Sequence, residues 1–116
     1  KLFAKAVQEE LHHLIPRYLG GRRSGPYLGL SPEAHREAAD SIHVLMQSFF
    51  AKYHPELVHS RRNTGRMIIR DVEKEKRAAA LDHFYRSLEK SKVTAHRETY
   101  EAWLQIFPEA KKYFRQ

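Results

Sequence analysis

The chain has 116 residues, 41% hydrophobic and 30% charged, with 5 glycines and 5 prolines, enough for one hydrophobic core and too few breakers for a collagen-like, low-complexity or wholly disordered protein. It has no cysteine, which excludes a disulfide framework, a thiolate metal site and a cysteine nucleophile and favours a reducing compartment. Lys and Arg number 21 against 14 Asp and Glu, a balance of +7 with histidine neutral; a polyanion is thus a candidate partner, and no apolar run approaches the ~20 residues of a membrane-spanning helix.

From the amino end, Phe3, Val7, Leu11 and Leu14 form one apolar stripe, predicting a helix over 2–15 that Pro16 ends. Between 18 and 30, Gly20, Gly21, Gly25, Pro26 and Gly29 surround Arg22 and Arg23 and predict a long basic loop. Ser31, Pro32 and Glu33 supply an N-cap, a first-turn proline and a first-turn acid. Ala34, Ala38, Ile42, Leu45, Phe49 and Tyr53, widened by Met46 and Phe50, then predict one long central helix. Pro55 interrupts it at His54, with 56–60 resuming the turn. Arg61 to Arg66 read as a second basic loop and a third helix as running from about Arg70 to Lys90. Thr94 caps a further helix with a stripe of Tyr100, Trp103, Leu104 and Phe107, and a short tail helix carrying Tyr113 and Phe114 follows Pro108. Strand-type alternation is not visible, so the fold class is all-α.

A long amphipathic helix with two short flankers cannot cover its stripe alone, and the layout is similar to the histone fold. Val58, His59, Ser60, Arg61 and Arg62, then Met67 to Val72, resemble the second loop and third-helix start of the core histone of the H-three class; Glu37 to Ser41 resemble its central helix, and Phe3, Lys5, Val7 and Glu9 its first. The resemblance implies a histone-fold domain over 1–79 with a carboxy-terminal helical extension over 80–116 packed on it. It also implies a histone-fold partner of the H-four class or similar, and a setting in the nucleus or in a chromatin-like particle, cellular or viral. A loop-locking pair, Arg62 with Asp71, and a dimer interface of Ile42, Leu45, Phe49, His59 and Asp71 are carried over from it.

Double-stranded DNA would be held through phosphates and minor-groove insertion by Lys5, Arg22, Arg23, Arg61, Arg62 and Arg66, with little sequence preference. The expected function is a heterodimerising, histone-like subunit that compacts or bridges DNA. The alternative is a helical protein–protein interaction module with incidental basic loops, its aromatic carboxy-terminal stripe the docking surface rather than core. Among eight histidines, Glu9, His12 and His13 lie at spacings that could share a helix face, but a closed metal site needs about four converging ligands. No metal or other cofactor is therefore expected. Without a nucleophile elbow, phosphate loop or zinc-protease motif, neither is catalysis.

Overall fold

In the computed structural model, residues 9–58 and 72–115 are described. The first described segment is extended: β1 (Glu10–His13) pairs antiparallel with β2 (Tyr27–Leu30), placing Glu10 opposite Leu30 and His13 opposite Tyr27. Leu11, a member of the expected helical stripe, is 58% exposed, while its neighbour His12 is 1% exposed; the side chains alternate as in a strand. The loop between the strands supplies what the hairpin needs. After Pro16 the chain makes a 3-10 turn over Arg17–Leu19 that ends at Gly20, whose φ of 105° suits glycine. Leu14, Ile15 and Leu19 drop into the core.

The expected continuous helix from Pro32 to Tyr53 is broken. Glu33–Glu37 form a single π turn, Ala38 is extended (φ −76°, ψ 157°), and a new helix, α1 (Ile42–Tyr53), begins at Ser41, whose hydroxyl accepts from the Val44 amide at 3.3 Å. Ser41 outcompetes helix continuation because its side chain satisfies an amide that the first turn leaves unpaired. The break is tied down from afar: the Asp40 carbonyl accepts from His96 Nε2 at 2.8 Å.

Two further helices follow, α2 (Lys74–Arg86) and α3 (Thr94–Ile106), then a 3-10 segment over Phe107–Tyr113. Trp103, fully buried, stacks on Tyr85 at 4.9 Å and donates its indole N–H to Asp82 at 2.8 Å. Gly21 bridges Phe114, and the Arg115 amide donates to the Gly20 carbonyl at 2.6 Å, so the carboxy end closes over the interstrand loop. Buried Arg77 donates from α2 to the carbonyls of Val72 and Leu19.

These observations correct the all-α histone fold. A hairpin stands where the first helix was expected, the central helix is split, and the architecture is a mixed α/β one. Part of the stripe expected to clasp a partner is packed within the chain: Ile42 is 0% exposed, and Leu45 and Phe49 pack partly buried on the same core as Phe84 and Trp103, while Tyr53 stays 49% exposed. The boundary after residue 79 lies inside α2, and one cluster of buried side chains joins both sides of it. Among the described residues no helix is long and apolar enough to cross a membrane.

Candidate metal centre

Three histidines from successive elements meet beside the hairpin. His12 comes from β1, His35 from the π turn and His43 from the first turn of α1, and one ligating atom from each lies within 4.8 Å of the others. Their rings stand nearly edge-on to one another, with centroids 4.4 Å apart for His35 and His43, 5.5 Å for His12 and His35, and 5.6 Å for His12 and His43. A tetrahedral zinc ion with Zn–N of 2.0–2.1 Å needs its nitrogens about 3.3 Å apart. The ligating atoms are thus up to about 1.5 Å further apart than a bound ion would draw them, and His43 is the exposed member of the three.

The outer partners decide which nitrogens are available. Tyr85 donates its hydroxyl hydrogen to the Leu14 carbonyl at 2.7 Å and lies 2.9 Å from His12 Nε2, so the hydroxyl oxygen accepts from Nε2–H. His12 Nδ1 is then bare, and it is buried without a hydrogen-bond partner. His35 donates from Nδ1 to Glu10 at 2.9 Å, which leaves its Nε2 as the binding nitrogen. The Glu10 carboxylate is gripped in turn by Arg36, Nε to Oε1 at 2.9 Å and Nη2 to Oε2 at 2.8 Å. The Arg36 fork and the His35 bond hold Glu10 ionised, its pKa down at about 2. A carboxylate behind a ligating histidine raises ligand basicity and orients the ring. Burial, then the neighbouring His43 and His35, push His12 well below the usual histidine range, and burial with the nearby His35 and Arg36 lowers His43 to about 4. Both are neutral at pH 7, the form that binds a metal ion.

A cleft of about 350 Å³ opens on the cluster, lined by His12, His35 and His43 together with His13, Arg17 and Gln47. His13 is not part of the triad. Its Nε2 lies 3.4 Å from the Arg23 carbonyl, which also accepts from the Tyr27 hydroxyl. Because a carbonyl only accepts, Nε2 carries the hydrogen of that contact.

Of the residues expected to bind DNA, Arg22 and Arg23 are exposed on the turn that joins the hairpin strands, and the Arg23 backbone touches this site. Lys5, Arg61, Arg62 and Arg66 lie outside the described residues, as do the Arg62–Asp71 pair and His59. Ile42, Leu45 and Phe49 belong to the core. The rejected grouping of Glu9, His12 and His13 assumed a helix; on a strand His12 and His13 face opposite ways, and the partners of His12 are His35 and His43. The signal that could have located His43 is Asp40-Ser41, two cap-favouring residues directly before Ile42. Comparison of the chain with protein-family models, with curated proteins and with solved structures finds no match in any of the three.

Proposed function

We propose that the chain is a divalent-metal-dependent hydrolase that cleaves phosphodiester bonds in nucleic acid. The observation that carries this reading is the buried, unpartnered Nδ1 of His12 converging with His35 and His43 at an open cleft. Buried polar atoms are nearly always satisfied, and this one belongs to a ring with two further imidazoles beside it, a ligating atom of each within 4.8 Å of the others.

Three neutral imidazoles leave the full charge of a bound ion in place, and a four-coordinate ion they hold keeps one position for water or substrate oxygen. Nitrogen ligands favour zinc and neighbouring transition metals over magnesium or calcium, which prefer oxygen. Such an ion would supply Lewis-acid stabilisation of charge on a phosphoryl oxygen. No side chain is assigned as general base, because His13 lines the cleft but leaves β1 on the face opposite His12. The attacking water would lose its proton to solvent as its oxygen bonds to phosphorus. The bond to the leaving sugar oxygen breaks, and that oxygen is protonated from solvent.

The substrate class follows from charge. Arg17 lines the cleft and Arg22 and Arg23 stand beside it, in a chain with a net charge of +7. That supports a polyanion held by its backbone, and double-stranded DNA is the first substrate to test. The histone architecture is not carried forward, nor is the chromatin setting it implied.

The test is plasmid cleavage with zinc, manganese or nickel, each against a chelator control. Cleavage should require metal and be lost in His12→Ala together with zinc binding. Zinc bound at the three histidines without cleavage of plasmid or single-stranded RNA under any of these ions would reject the hydrolase.

A further inference from the structure

The proposed centre depends on His12 keeping Nδ1 bare, and the next question is what enforces that. On its other side His12 has one hydrogen-bond partner, the Tyr85 hydroxyl, 2.9 Å from Nε2 and 73 residues away in sequence. A hydroxyl that spends its hydrogen on the Leu14 carbonyl offers only lone pairs to the imidazole, so the ring must bring the hydrogen. The opposite tautomer would place two acceptors face to face at Nε2 and bury an N–H at Nδ1 with nothing to receive it.

Tyr85 is itself immobilised from the far side of the molecule. It is 0% exposed and stacked on Trp103 with an interplanar angle of 25°. The Trp103 indole is pinned to Asp82, which also takes the Arg86 guanidinium at 2.8 Å. None of these groups reaches the cleft, and their packing ends on a single oxygen beside His12.

We infer that Tyr85 is the positioning residue of the metal centre: from α2 it fixes the tautomer and tilt of His12 and so sets the affinity of the site for a divalent ion. This inference rests on the proposed metal centre, but its first observable does not require metal.

In the metal-free wild-type protein, long-range nitrogen–proton NMR should find His12 as the Nε2–H tautomer; an Nδ1–H tautomer overturns the role. Tyr85→Phe keeps the ring, its burial and the Trp103 stack and removes only the hydroxyl. It should give a mixture of His12 tautomers and a zinc dissociation constant raised about 10- to 100-fold in competition with a chromophoric chelator. Leu57→Ala, a truncation of a buried core residue outside the Tyr85–Trp103–Asp82 chain, is the control for general loosening, expected to lower thermal stability while His12 keeps its wild-type tautomer. Wild-type zinc affinity and an unchanged tautomer in Tyr85→Phe would overturn the inference. Failure of the wild type to bind zinc would instead reject the metal centre, and the wild-type tautomer would still decide for or against Tyr85.

Discussion

Glu10 is a half-buried carboxylate whose two oxygens are both committed, one to His35 and Arg36 and the other to Arg36. Glu10→Gln keeps the shape but removes the charge that polarises His35, so zinc should bind about 10-fold more weakly, with the hairpin intact by circular dichroism. The histidines also make a pH statement. Their ordinary pKa is 6.5; His12 is held well below it and His43 at about 4. Between 6.5 and those values the unfolded chain binds more protons than the folded one, so stability rises with pH there. The contribution is complete above about pH 6.5 and is lost as pH falls towards about 4. Thermal unfolding of the metal-free protein should therefore occur at a lower temperature at pH 5 than at pH 7. A midpoint that rises on acidification over that range would contradict the neutral cluster.

At the level of elements, the break at 38–41 makes the site. Had the helix run unbroken from Pro32, His35 and His43 would lie eight residues apart, about 12 Å along its axis; the π turn and the new start at Ser41 bring their rings to 4.4 Å. This is why the cluster could not be read from apolar periodicity, which passes through Ala38 and Ile42 without interruption. The hairpin was hidden for a related reason. Leu11 and Leu14 fit a helical stripe, but a two-stranded ribbon needs only alternate residues buried, and the buried one is a histidine. The helices after residue 73 were legible because their aromatic spacing and their burial agree. Ser41→Ala removes the cap and should cost about 1 kcal/mol in denaturant unfolding. Because the cap also starts the turn that carries His43, zinc affinity should fall with it, a coupling that a cap remote from the site would not show.

For the molecule as a whole, a single core joins the hairpin, α1, α2 and α3. Trp103→Ala empties its centre and should destabilise by about 3–5 kcal/mol, read as a shift of the urea midpoint. Binding to DNA should behave as a charge-led property of the whole surface. Raising salt from about 50 to 200 mM should weaken it steeply and equally for unrelated duplexes; affinity that holds constant across that range would exclude backbone contact as its basis. Net charge is read from composition and survives any error in fold, which keeps a polyanion the proposed partner, while the three-histidine cluster depends on backbone turns that no count of residue types records.

All three side chains of the proposed metal centre precede Tyr53, yet the hydroxyl behind His12 belongs to α2, and Phe114, bridged to Gly21, closes the interstrand loop. A miniaturised version ending after α1 would thus retain every donor atom and lose the scaffold that orients the most deeply placed one. Attempts to transplant this centre into another protein must carry a hydrogen-bonding group from a second, sequence-distant segment, or accept an imidazole that can flip.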